Sequence, residues 1–420
     1  MTVSRLTVAE ASAHMLAGLV PLPGENVPLE QALGRVLAED VVSEVSLPPW
    51  DNASMDGFAV HSADLRGAGA ETPARLRVVE TIAAGTRGTR SIGTGEAARI
   101  MTGAPVPDGV DSIVRVEDTR SEGDDVAVLD VRDAGRNIRP RGEDVRAGAT
   151  VLRAGTPLGP AQLGVLASVG RAAPLVHRRP RVAVLATGDE LVPLERFDEV
   201  RAGERIVSSN SYSLEAAVRA AGGEPVSLGI APDEPRGLAE RLRAAKGCDM
   251  VLTSGGVSVG DFDYTREVVT ALGGNLSLWR VRMRPGAPLG FGTLFGMPWL
   301  GLPGNPVSAL VTFELFARPL LRTLGGHARP HRRTVPVVLD GDIHLAAPLT
   351  HFMRVVLSDG QDERLHASLT GAQSSGMLTS MSAADALLIV PPEPLDVAAG
   401  SVLRAIPLDG DLGGSERFPA

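Results

Sequence analysis

One cysteine, Cys248, stands in the whole chain, and its isolation removes whole classes of chemistry. An intrachain disulfide framework and cysteine-cluster zinc or iron–sulfur sites are excluded. Aromatic residues make up only 3% of the sequence, too few for the stacked platforms that grip single-stranded nucleic acid. A formal net charge of −9 opposes a broadly nucleic-acid-binding surface and leaves room only for a local basic pocket. No apolar run approaches the ~20 residues that span a bilayer. Neither a nucleic-acid nor a membrane partner is therefore expected. The lone cysteine and the lack of a secretion signal make the cytoplasm the expected compartment. Lysine is almost missing too: Lys246 stands alone, so nearly every cation is an arginine. The histidines are scattered, and no Ser–His–Asp arrangement or cysteine nucleophile is discernible.

What is present describes a globular protein with 44% hydrophobic and 22% charged residues, too long at 420 residues for a single core. Its organising stretch is CDMVLTSGGVSVGDFDY, from Cys248 to Tyr264. Met250-Val251-Leu252 reads as a buried strand, Gly255, Gly256 and Gly260 as a tight loop, and a helical pattern begins at Tyr264. Strand, glycine loop and helix face backbone N–H groups toward an anion. Asp261 and Asp263 would repel a bare phosphate but suit a Mg²⁺ held between carboxylate and phosphate oxygens. An ordinary turn with an aspartate N-cap is the other reading of this loop.

Thr7 and Glu10 fit a capping box for a helix continuing over 11–19, and 29–39 carries a second helical pattern before a strand at Val41-Val42. Short β-runs at 75–79, 98–101, 112–116 and 126–131 predict a small β-rich domain. From 181 to 324 strands (181–186, 225–230, 250–253, 279–283) alternate with helices (211–221, 235–245, 264–272, 306–324). That alternation predicts a mainly parallel, doubly wound sheet whose ligands bind beyond the carboxyl ends of its strands. Three suspicious turns sit at those ends: Thr187-Gly188-Asp189-Glu190, the glycine loop, and Pro303-Gly304-Asn305-Pro306-Val307-Ser308. Beyond 330, short runs at 335–339, 353–357, 364–367, 386–390 and 402–406 predict a β-barrel or sandwich.

Acids in turns at Asp56, Asp144, Asp189/Glu190, Asp233 and Asp261/Asp263 are hard oxygen donors suited to Mg²⁺, although each alone is more often an N-cap or a solvated residue. Arg280, Arg282 and Arg284 alternate, which in one strand would put them on one face as an oxyanion clamp, or simply on a solvated edge. In the Pro303–Ser308 segment, Pro306 suits a first helical position with free N–H groups at the helix start. Arg354 and the Ser374-Ser375-Gly376 turn add donors near the C-terminus. Metal-assisted transfer at phosphate or another oxyanion is the chemistry these groups favour.

Taken together, DNASMDGFAV, RIMTGAPVP, NIRPRGEDV, LATGDEL, SNSYSLEAAVRAAG, TSGGVSVGDFDYT, GLPGNPVSAL and TGAQSSGML resemble the MoeA family, whose animal relative is the E domain of gephyrin. The likeness covers nearly the whole chain. It implies insertion of molybdate into adenylylated molybdopterin, with Mg²⁺-dependent hydrolysis of the adenylyl–phosphate link and release of AMP and molybdenum cofactor. It also implies a homodimer, in which the small β domain of one subunit completes the cleft of the other. Transient contact with the adenylyltransferase that makes the substrate and with recipient molybdoenzymes follows from the same likeness.

Carried over residue by residue, Asp56, Thr102, Asp144, Glu190 and Asp263 are expected catalytic positions, and Glu190, Asp233, Asp261 and Asp263 metal positions. Gly255, Gly256, Ser258, Arg280, Arg284, Pro303, Pro306, Ser308, Arg354 and Ser375 are expected to bind substrate. Arg280, Arg284 and Ala287 replace lysines of a K-x-x-x-K-P-G-K-P pattern in many members, which bears on affinity more than on reaction type. The expected division is an N-terminal helix on the α/β domain (1–24), a linking α+β domain (25–46 with 145–175), a small β-rich domain (47–144), the α/β molybdopterin-binding domain (176–326), a C-terminal β domain (327–410) and a flexible tail (411–420). A molybdopterin adenylyltransferase and a non-catalytic pterin-binding scaffold are the alternative readings.

Overall fold

The computed structural model describes residues 6–256 and 264–408. The chain divides into two compact units, one made of residues up to 38, 155–159 and 173 onward, the other of 39–154 and 160–172. Helix α1 (Val8–Leu16) opens the first unit. The Glu10 N–H donates to Thr7 Oγ1 at 3.3 Å, and the Thr7 N–H donates to the Glu10 carboxylate at 2.8 Å, the reciprocal cap that the sequence predicts. Ala11 and Met15, one turn apart, bury against the α/β core. The helix predicted over 29–39 does not form. Only Leu29–Gln31 coils, as a 3₁₀ turn, because Gly34 takes a left-handed φ of 74° that a continuing helix forbids.

The second unit is built on a mixed six-stranded sheet. Its strands are β1 (Gly57–Val60), β2 (Ala74–Ile82), β3 (Glu96–Ile100), β4 (Ser112–Arg115), β5 (Thr119–Glu122) and β6 (Asp125–Val128), in the order β4-β1-β3-β2-β6-β5. Alternation sorts the side chains: Ala59, Ile82, Ala98, Ile100 and Ile113 pack on one face, and Phe58, Val60, Leu76, Val114 and Val126 on the other. Helix α2 (Pro160–Ser168) buries Leu166.

In the first unit a second six-stranded sheet comprises β7 (Arg181–Thr187), β8 (Glu224–Ala231), β9 (Met250–Ser254), β10 (Asn275–Arg280), β11 (Pro288–Leu294) and β12 (Met297–Leu302). The order is β8-β7-β9-β12-β11-β10, parallel through β12 and antiparallel over the last two strands. The parallel strands are covered on both faces, which is why β7 and β9 read as unbroken apolar runs. The longer helices of this part are α3 (Ser209–Ala220), α4 (Pro235–Arg243), α5 (Thr265–Ala271), α6 (Pro306–Thr312) and α7 (Arg318–Leu324). The sequence predicts one helix over 306–324. A π-turn at Phe313–Ala317 interrupts it, because Pro319 has no N–H to donate back into the preceding turn.

The remaining strands, β13 (Val335–Leu339), β14 (Thr350–Asp359), β15 (Leu365–Leu369), β16 (Ala386–Val390) and β17 (Val402–Pro407), close into a five-stranded barrel in the order β14-β15-β13-β17-β16, with β16 pairing back to β14. Val337, Leu339, Val355, Leu388 and Ala405 fill its interior. Phe352, Leu387 and Ile406 point the other way, into the core shared with α6, α7 and the α/β sheet. Among the described residues no helix is long and apolar enough to cross a membrane.

Candidate functional site

A cleft of about 1180 Å³ opens in the first unit, past the carboxyl ends of the parallel strands. Thr187, Gly188 and Glu190 arrive after β7, Asp233 after β8, Ser254–Gly256 after β9, and Pro303, Gly304 and Asn305 after β12. Gly255 and Gly256 have φ of 93° and 64°, and a Cβ on them would stand 2.7 Å from Thr187 Oγ1 and 2.2 Å from Thr265 Oγ1. No other residue fits those two positions. Sequence reasoning assigned no role to Asn210, which is buried at the start of α3. Its Nδ2 donates to Ser254 Oγ at 2.7 Å and to the Gly304 carbonyl at 2.8 Å, tying two strand ends together. The signal was an asparagine inside a helix-start SNS triplet. Among the described residues Asn210 Oδ1 and Thr187 Oγ1 are buried there without partners, two polar atoms that a ligand could satisfy.

Three acids crowd one end of this wall. The Asp189 N–H donates to the Asp233 carboxylate at 3.3 Å, and the Asp233 N–H donates to the Asp189 carboxylate at 3.1 Å. Burial pushes the Asp233 carboxyl above the usual range, and the neighbouring charges of Asp189 and Glu190 push the same way against the Asp189 N–H. A hard divalent cation would relieve that repulsion, so the donor chemistry fits Mg²⁺. Among the described residues, however, no three such side chains converge as a complete metal site. Asp261, Asp263 and Ser258 lie outside the described residues.

The barrel supplies the opposite wall through Leu349–Arg354 of the β14 region and the Gln373–Ser375 turn. Arg354 is 1% exposed. Its Nε donates to Ser380 Oγ at 3.1 Å, its Nη1 to the Gln373 carbonyl at 3.2 Å, and its Nη2 to the carbonyls of Ala372 at 3.3 Å and Ser374 at 3.1 Å. Among the described residues no carboxylate pairs with it, and burial lowers its pKa from the ordinary guanidinium value. Gln373, also missed in the sequence, clips the turn to the strand: its Oε1 accepts from the Arg354 N–H at 2.8 Å and its Nε2 donates to the Arg354 carbonyl at 3.1 Å. The Ser375 carbonyl in turn accepts from the Val307 N–H at 3.0 Å. One of the helix-start N–H groups expected to be free beside Pro306 is therefore occupied. Pro303, Pro306 and Ser308 do line the cleft, and Ser308 is 4% exposed.

The arginine alternation is corrected. The strand predicted over 279–283 is not one strand: β10 ends at Arg280, and Met283–Arg284 joins the barrel, parallel to β14. Between them the Val281 N–H bonds to the Ala287 carbonyl and the Arg282 N–H to the Leu6 carbonyl, which breaks the alternation. Arg284 and Ala287 line the cleft, while Arg280 and Arg282 are absent from its lining. These two bonds divert the backbone at Val281–Arg282, and Gly286, with a left-handed φ of 92°, turns the chain so that Ala287 can reach back to Val281.

In the second unit three of the motifs converge. Asn52–Ala53 pairs with Ile138–Arg139, the Gly103 N–H donates to the Ala53 carbonyl, and the Val106 N–H donates to the Asp51 carbonyl. Asp56 Oδ1 accepts from the Thr102 N–H at 2.7 Å and from Thr102 Oγ1 at 2.8 Å, which holds the Asp56 carboxyl below the usual range. Both residues are exposed. Asp144 is exposed as well, and its N–H donates to the Leu47 carbonyl.

Comparison with known proteins decides the family. The N-terminal region of MoeA (domains I and II) matches residues 6–170, a probable molybdopterin binding domain matches 183–323, and the C-terminal region of MoeA (domain IV) matches 336–408. The chain belongs to the MoeA family. Molybdopterin molybdenumtransferase of Nostoc is 38% identical over 94% of this chain and 93% of its own length. That of Bacillus subtilis is 35% identical over 93% and 91%. The crystal structure of a molybdopterin biosynthesis MoeA protein from Pyrococcus horikoshii superposes with a TM-score of 0.83 at 30% identity, covering 96% of this chain and all of that one. This MoeA-family chain is accordingly an enzyme of the transferase class.

Proposed function

We propose that this enzyme inserts molybdate into adenylylated molybdopterin, hydrolysing the adenylyl–phosphate link and releasing AMP and molybdenum cofactor. One observation carries the reading: the cleft sets carboxylates, Glu190 and Asp233, against a donor wall of Arg284, the Arg354-held turn and Ser375. Such a cleft suits a substrate bearing a phosphate link at one end and a free oxyanion at the other. Glu190 and Asp233, with Asp261 and Asp263, would hold Mg²⁺, which when bound neutralises the phosphate charge that the acids oppose. Gly255, Gly256, Pro303, Pro306 and Ser308 shape the phosphate-side wall. Arg284, Arg354 and Ser375 favour molybdate on the barrel side.

Asp56, Thr102 and Asp144 take their part in the reading as the contribution of a partner subunit, so the working form is a homodimer, in the cytoplasm, with the finer domain division expected from the sequence. The test is AMP release from adenylylated molybdopterin by purified protein with Mg²⁺, with and without molybdate. Molybdate-dependent release with active cofactor formed is the expected result, and Glu190→Gln should reduce it at least tenfold. Tight binding without release would instead indicate a scaffold, and AMP transfer from ATP to molybdopterin would indicate an adenylyltransferase.

A further inference from the structure

His351 is 7% exposed yet lines the cleft, on the strand that carries Arg354. Its Nδ1 lies 2.9 Å from the Leu349 carbonyl oxygen. A carbonyl can only accept, so the ring hydrogen is assigned to Nδ1, and the neutral ring keeps a lone pair at Nε2. Among the described residues nothing donates to that atom. Arg284 is the register partner of His351 across the parallel pairing of Met283–Arg284 with β14, so the two side chains share a face. Arg284 itself is exposed and forms no ion pair among the described residues. On the other side of the strand the partner of His351 is Val390, which does not titrate.

The other ionisable groups of the cleft act elsewhere. His344 is bound to Asp396, Arg354 to the loop carbonyls, and Glu190 and Asp233 lie at the strand ends of the opposite wall. Burial, opposed by the hydrogen bond to Leu349 and reinforced by Arg284, lowers the His351 pKa from the ordinary imidazole value and so favours the neutral ring.

A neutral ring offering a lone pair is a poor neighbour for a dianion, whose oxygens are acceptors too. The conflict disappears if the ring is charged, and the incoming negative charge favours that charged form. Resting on the anion site proposed above, we propose that His351 is a further ligand-contacting residue. When a tetrahedral dianion settles against Arg284 and the Ser374-Ser375 turn, the imidazole takes up one proton at Nε2 from the solution buffer, keeps it, and donates that N–H as a hydrogen bond to an anion oxygen. In the free site His351 therefore carries no charge of its own, and anion entry is linked to proton uptake.

The experiment is calorimetric titration of the full chain with molybdate, which stays dianionic across the range, in two buffers of different ionisation heat between pH 6.5 and 8.5. Proton uptake approaching one per anion is expected, with affinity falling up to tenfold per pH unit over the window in which the ring takes up its proton on binding. In His351→Asn the side-chain amide keeps the bond to Leu349 but cannot titrate, so uptake should vanish and affinity should become flat with pH. His351→Gln, with its amide near the place of Nε2, guards against a local packing effect, and melting curves verify that both variants are folded. Equal uptake in folded wild type and variants, or none in wild type while molybdate binds, overturns the proposal. Failure of wild type to bind molybdate overturns the anion site itself, and the proposal with it.

Discussion

Arg354 is a buried cation whose four hydrogen-bond acceptors all belong to the barrel, three of them carbonyls of one turn. Such a group has two roles that truncation would separate. It shapes the Ala372–Ser374 backbone that presents Ser375, and it leaves positive charge beside the cleft that no acid among the described residues pairs with. Arg354→Ala strands the Ala372 and Gln373 carbonyls, while that of Ser374 keeps the Met377 N–H, and should cost about 2 kcal/mol of stability. The same change should raise the molybdate needed for half-maximal rate by an order of magnitude or more. Arg354→Lys restores a charge but not a planar fork, so it should recover stability only partly. Chemical denaturation beside a molybdate titration of each variant measures both effects. A variant that loses stability while keeping its molybdate dependence would reduce Arg354 to a structural brace.

At the scale of elements, the second unit carries its own electrostatic clasp where β4 ends. The Arg115 Nε donates to Asp133 at 2.9 Å, its Nη2 at 2.8 Å and its backbone N–H at 3.1 Å. Asp133 is 1% exposed, and this fork on Arg115 holds its carboxyl down at about 2. A carboxyl lowered in the native state contributes stability that is full above its unfolded value near 3.9 and is lost as pH falls toward the native value. Asp133→Asn should therefore cost about 2 kcal/mol at pH 7. It should also flatten the loss of stability between pH 4 and pH 2, which urea midpoints at pH 5 and pH 3 would show. An acid slope equal to that of wild type would mean that other carboxylates govern the transition. This clasp left no trace in the sequence, since Arg115 and Asp133 are linked only by the fold. Strands of the barrel, by contrast, were legible because period and punctuation agree there: β13 and β16 begin and end where the sequence predicts. Elements failed where local geometry overrode pattern, at Gly34 and at Val281–Arg282, and β11 and β12 were missed because glycine and proline dilute their apolar runs.

For the whole molecule, the order of motifs placed the α/β sheet, the barrel and three of the cleft's turns, because each turn follows a strand at the same sheet edge. What the sequence concealed were residues that act by meeting across the fold: Asn210 with Ser254 and Gly304, Gln373 with Arg354, and His351 with Arg284. The same holds for a buried basic knot around α7. Glu314 faces Arg332 at 2.5 Å and Arg318 at 3.6 Å, while His327 accepts through Nδ1 from the Arg322 Nη2 at 3.0 Å. Burial first, then Arg322 and Arg318, push the His327 imidazole down to about 4. The sign is opposite to that of a paired histidine. Between about pH 6.5 and pH 4 the unfolded chain binds a proton at His327 that the native chain refuses, so stability declines as pH falls through that window. His331 and His351 are lowered by burial as well and add to the decline, whereas His344 and His366, raised by Asp396 and Asp340, oppose it from exposed or partly exposed positions. His327 should contribute about 1 kcal/mol to the loss between pH 7.5 and pH 5.5. Urea midpoints at the two pH values should therefore converge in His327→Gln, whose side-chain carbonyl can still accept from Arg322. If the variant keeps the full pH dependence of wild type, the knot is not its source, and the remaining lowered histidines, His331 before His351, become the groups to replace.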